Sequence, residues 1–135
     1  MLFQLRLVGG LLLALALMHA VFPRYFDWRR DLAPLQLINR EMMVVHTFFV
    51  ALMVLLMGLL CLTSAPELLG TALGRRVCGG LAAFWTARLL TQFVGFSSAL
   101  WRGKPFETAV HIVFTALWIY LSGLFWLAAG LNLHP

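Results

Sequence analysis

Residues 42–66 read MMVVHTFFVALMVLLMGLLCLTSAP, 25 positions without an Asp, Glu, Lys or Arg. A helix rises about 1.5 Å per residue and the hydrocarbon core of a bilayer is roughly 30 Å thick, so about 20 apolar residues suffice to cross it. Hydrocarbon offers no partner to a bare peptide group, and a helix satisfies its own. Working outward, Leu7 to Pro23 and Thr108 to Pro135 are likewise free of charge, and Val77 to Trp101 is interrupted only by Arg88. The chain therefore reads as all-α, a four-transmembrane-helix up-down bundle with spans at about 5–23, 42–65, 77–99 and 108–131. One integral membrane domain takes up residues 1–135 and leaves no length for a second.

Composition agrees. Hydrophobic residues make up 62% of the chain, against roughly 45–50% in soluble domains, and the mean hydropathy is +0.92. The basic excess, ten Lys and Arg against five Asp and Glu, lies mostly between the spans, where it orients the protein instead of building a surface for nucleic acid. Arg6 before an apolar run resembles the start of a signal peptide, but Met18-His19-Ala20 fits a cleavage site poorly, so the run is read as a retained first helix.

The sides can be counted. Arg24, Arg29, Arg30, Arg40, Arg102 and Lys104 fall on one side, and Arg6, Arg75 and Arg76 on the other. The positive-inside bias places the first and third loops in the cytoplasm and both termini outside. Trp28-Arg29 and Trp101-Arg102 repeat an interfacial anchor on that cytoplasmic face. The long first loop mixes Tyr25, Phe26 and Trp28 with Arg29, Arg30 and Asp31. This suits a short helix in the headgroup plane with Pro34 in its first turn, or a surface for a partner.

Polar groups within the spans are costly and so informative. His19, His46, Arg88, Gln92 and His111 all fall in the cytoplasmic half, with Glu107 four residues before His111, a spacing that brings carboxylate and imidazole together. Arg88 and Gln92 share the same spacing and one helix face. The layer reads either as a hydrogen-bond hub tying helices together or as a site where Arg88 meets an anionic or carbonyl-bearing ligand, such as a lipid headgroup, a quinone or a haem propionate. Val45 to Leu52 and Val110 to Leu117 both read V-H-x-x-F-x-A-L, each with a Glu just upstream; the first and third spans show no convincing match. This repeat makes His46 and His111 candidate axial ligands of a single haem b, although Met42, Met43, Phe49 and Phe114 crowd the turns that a macrocycle needs open. A metal site has little support, because each histidine comes from a separate helix. Cys61 and Cys78, both on the outer side, read as small packing residues or, if that face is periplasmic, as a disulfide; Gly79, Gly80, Ala82, Ala83 and Ala87 read as positions for close helix contact, and Trp85 and Trp118 as core.

Trp28-Arg29, then Leu35 to Asn39-Arg40, then Phe84 to Gln92 form a W-R…N-R…A-R-L-x-x-Q pattern. In this the chain resembles a group of small uncharacterised bacterial membrane proteins of four spans. The resemblance implies a bacterial inner membrane and Arg88 and Gln92 acting together, and it brings no activity with it. Three functions stay open on these residues. The first and preferred is a non-enzymatic accessory or partner-binding subunit in the lipid bilayer, without a cofactor. The second is a haem b electron carrier on His46 and His111. The third is a small-molecule enzyme or transporter using Arg88, Gln92 and the histidines.

Overall fold

The computed structural model describes residues 1–130 and is helical, with no strand among them. The elements are α1 (Leu2–His19), α2 (Phe22–Tyr25), α3 (Trp28–Asp31), α4 (Leu37–Thr63), α5 (Ala65–Gly70), α6 (Ala72–Val94) and α7 (Pro105–Gly130), with a 3₁₀ turn at Ser98–Leu100. Four of them, α1, α4, α6 and α7, are long and apolar enough to cross a membrane. The chain resolves into two compact units, residues 2–65 and residues 66 onward with Met1. Each is a helical hairpin: α1 packs on α4 in the first, α6 on α7 in the second.

Helix ends follow local chemistry. Three of the long helices begin three to five residues before the apolar runs, because Arg40, Glu41, Arg75, Arg76 and Glu107 are good helix formers and belong to the opening turns. The first helix instead ends at His19, short of Pro23, since a proline ring clashes with the preceding turn of a continuing helix. Pro23 opens α2 and Asp27, at φ 50°, separates α2 from α3. The expected interfacial helix with Pro34 in its first turn is therefore replaced by two single turns preceding Pro34, and Leu37 and Ile38 belong to α4. The third long helix stops at Val94 rather than near residue 99: Gly95 caps it, and the Ser97 side chain accepts the Ala99 N–H at 3.3 Å to start the 3₁₀ turn. At the other end of α6, Thr71 accepts the Gly74 N–H at 2.9 Å, an N-cap that satisfies an otherwise orphan donor.

Close backbone approach occurs in the first hairpin, at a different place from the one the glycines of α6 led us to expect. A Cβ on Gly58 would lie 2.9 Å from the Gly9 carbonyl oxygen and 3.1 Å from the Leu13 nitrogen, so α1 and α4 cross with almost no side chain between them. Gly79 and Gly80 face open space, and Ala83 and Ala87 are exposed; of the small residues singled out on α6, only Ala82 is buried. Buried Leu5, Val8 and Leu12 of α1 and Val54, Met57 and Cys61 of α4 fill the first core. Trp85, Leu121 and Phe125 fill the second, with Trp85 stacked on Trp118 at 5.3 Å and 12°. Cys61 and Cys78 are both buried, as packing residues are, and Cys78 Sγ lies 3.8 Å from the Leu68 carbonyl.

Candidate functional site

Of the polar residues expected to form one layer, the second hairpin gathers Arg88, Gln92 and His111. Gln92, buried near the end of α6, is the centre. Its Oε1 accepts from Arg88 Nη1 at 3.2 Å and from Trp118 Nε1 at 3.3 Å, and its Nε2 lies 3.0 Å from His111 Nδ1. Two of these bonds cross from α6 to α7, while the Arg88 bond runs along α6 with the four-residue spacing read from the sequence.

The donors fix the hydrogens. A guanidinium and an indole N–H can only donate, so the atom facing both must be the amide oxygen. The amide nitrogen then donates to His111 Nδ1, and the neutral imidazole carries its own proton on Nε2. Both lone pairs of Oε1 and the lone pair of Nδ1 are in use. What the cluster still offers is donors alone: the remaining guanidinium N–H groups, the second amide hydrogen and His111 Nε2–H. Haem or metal ligation by His111 through Nε2 would require that proton to move to Nδ1 and the bond from Gln92 to break.

Aromatic rings frame the cluster. The Arg88 guanidinium carbon lies 4.8 Å from the Trp118 ring centroid and 5.5 Å from that of Phe96, within reach of cation–π attraction. Trp101 stacks on His111 at 4.7 Å and 16°, and Phe93 meets the same imidazole edge-on at 6.3 Å. The loop that delivers Trp101 is tied down from α7, where Thr108 Oγ1 donates to the Trp101 carbonyl at 2.6 Å. Gly103, at φ 74°, turns the chain into Pro105, which begins α7. The Glu107–His111 contact expected from spacing is not made: His111 turns to Gln92, and Glu107 stays exposed.

Trp118 and Trp101 are the residues that sequence reading missed. Trp118 follows His111 by seven positions, two helical turns, and so shares its face; that spacing was the available signal. Read as core, it is indeed buried, but its N–H and ring face also hold Gln92 and Arg88. Trp101, read as an interfacial anchor, is half-buried against the imidazole.

His19 and His46 belong to the first hairpin and bond to their own helices. His19 Nδ1 donates to the Leu15 carbonyl and His46 Nδ1 to the Met42 carbonyl, each at 2.8 Å, four residues back. His19 is half-buried against Phe22 at 4.9 Å, and His46 is exposed. His19 is the last residue of α1, whereas His46 lies nine residues after the start of α4 and His111 six after the start of α7. Their distances from the nearer helix ends are thus unequal. His19 also lines an apolar groove of about 360 Å³ with Trp28, Phe48 and Leu52.

The V-H-x-x-F-x-A-L match does not coincide with equivalent packing. Sequence identity pairs positions 65 apart. Burial pairs positions 64 apart, with Val54, Met57, Gly58 and Cys61 of α4 answering Trp118, Leu121, Ser122 and Phe125 of α7. One residue is roughly 100° around a helix, so the two matched histidines point to different sides of their respective packing seams. Among the described residues no group of three or more His, Cys, Asp or Glu side chains converges as a metal would require. No known family model matches this chain, and no curated protein or solved structure is detectably similar to it.

Proposed function

We propose that the protein is a non-enzymatic, multi-pass accessory subunit of the bacterial inner membrane, one that binds a membrane-protein partner. In this reading the four long helices cross as an up-down bundle, with both termini outside and the loops bearing Arg24, Arg29, Arg30, Arg40, Arg102 and Lys104 in the cytoplasm.

The observation that supports a binding role over a catalytic one is the bond set of Gln92. General acid–base chemistry needs a group free to take a proton from a substrate. In this cluster the acceptors are turned on each other, and the nearest carboxylate in sequence, Glu107, is exposed. Such a cluster holds two helices in register and presents fixed positive charge. The exposed apolar side chains of α4, among them Phe48, Phe49, Met53 and Leu56, meet lipid and the partner.

The test is purification from native membranes in mild detergent after brief cross-linking. A membrane protein copurifying in fixed ratio, with a featureless visible spectrum and no bound metal, is the expected result. A Soret band that shifts on dithionite reduction and disappears in His46→Ala or His111→Ala would overturn it in favour of a haem carrier.

A further inference from the structure

Resting on that reading of the chain as a membrane-spanning protein, we infer that the Arg88–Gln92–His111 cluster is a binding site for the phosphate of an anionic lipid headgroup. The hydrogen-bond inventory sets the chemistry. Every side-chain acceptor in the cluster is occupied within it, and what remains to bond is N–H donors around a half-buried cation. A site of this kind rejects cations and takes anionic oxygen, and a guanidinium fork matches a phosphate with two parallel bonds.

The place in the fold selects the phosphate's source. Gln92 lies two residues and Arg88 six residues before the last residue of α6, about 3 and 9 Å from the helix end. At that depth an arginine side chain extends to the headgroup layer. Phe93, Phe96 and Trp101 pack around the cluster, and Trp101 is of a residue type that favours a membrane interface. Arg102 and Lys104 are exposed on the connecting loop beside Trp101 and add positive charge where a headgroup would lie. A carboxylate on a partner's helix would be matched better by a cation at mid-span, far from such a loop. The stacked Trp101–His111 pair holds the imidazole so that Nε2–H is set by the same bond that fixes Nδ1. Arg88 and His111 are thus the binding groups, and Gln92 positions both.

The experiment uses the full chain in phosphatidylcholine nanodiscs doped with phosphatidylglycerol, with bound lipid read by native mass spectrometry. Enrichment of phosphatidylglycerol, weakened about tenfold in Arg88→Gln and less in Arg88→Lys, is expected from loss of one charge-assisted contact. A photoactivatable phosphatidylglycerol should cross-link wild-type protein within residues 88–111, a readout that needs no variant and so survives a misfolded one. Absence of enrichment, or cross-links confined to the first hairpin, overturns the site. Displacement of the lipid by inorganic phosphate at comparable concentration overturns the lipid source in favour of the free anion. Partner capture is measured separately: its failure with lipid enrichment intact removes the accessory role alone, and the reverse result removes the lipid site alone.

Discussion

Replacing Gln92 by Leu keeps the volume of the side chain and removes all three of its bonds, to Arg88, Trp118 and His111. Hydrogen bonds between helices in membranes contribute about 0.6 kcal/mol on average and up to about 1.7, so the two that cross to α7 are together worth roughly 1 kcal/mol. Trp118 raises that figure. It is 4% exposed, and an indole N–H left buried without an acceptor costs about 1–3 kcal/mol. Arg88 is only half-buried, within reach of other acceptors, so little is added for it. The expected loss is therefore about 2–4 kcal/mol, read as reversible unfolding of the detergent-solubilised protein in a denaturing detergent titration. Gln92→Glu is the control. A carboxylate still accepts from Arg88 and Trp118, and His111 can donate to it after shifting its proton to Nδ1; the loss should stay within about 1 kcal/mol. If Gln92→Leu lies within about 0.5 kcal/mol of the wild type, or if its effect simply adds to that of Trp118→Phe, the hub is not a coupled unit and the reasoning fails.

Gly58→Ala should destabilise by about 1–3 kcal/mol, because its Cβ would press on the backbone of Gly9 and Leu13, whereas Gly79→Ala, facing open space, should be neutral or slightly stabilising in the same titration. Thr71→Ala removes the N-cap of α6 and should cost about 1 kcal/mol, with faster hydrogen exchange at Gly74 as the local sign. Cysteines introduced at Arg30 and Lys104 should resist a membrane-impermeant thiol reagent in intact cells and react after permeabilisation; labelling of either in intact cells would reverse the proposed orientation.

The four long helices were legible because a charge-free run of apolar residues has few other physical solutions. Their ends were less so: Arg40, Glu41, Arg75 and Arg76 interrupt apolarity without interrupting backbone hydrogen bonding, and hydropathy reads only the first. Arg88 with Gln92 was visible through four-residue spacing, which is a property of one helix. The partners from the other helix were not, since nothing in α6 says which residues of α7 it will meet. For that reason Glu107, chosen on local spacing, yielded to Gln92, and Trp118 was read as packing alone. The histidine match was misleading for a related reason. Identity along a chain carries no record of rotation about a helix axis, and a one-residue difference in packing seam separates His46 from the role of His111.

The stack of Trp85 on Trp118 has a use in the laboratory. Two indoles 5.3 Å apart and within 12° of parallel couple their electronic transitions, so the pair should give a split circular-dichroism signal that neither ring shows alone. One ring rides on α6 and the other on α7, and the second also carries the bond to Gln92. The protein thus has a built-in optical gauge of interhelix register, in which a slip of the second hairpin by a fraction of a turn would appear as a collapsed couplet while the helix content stayed the same.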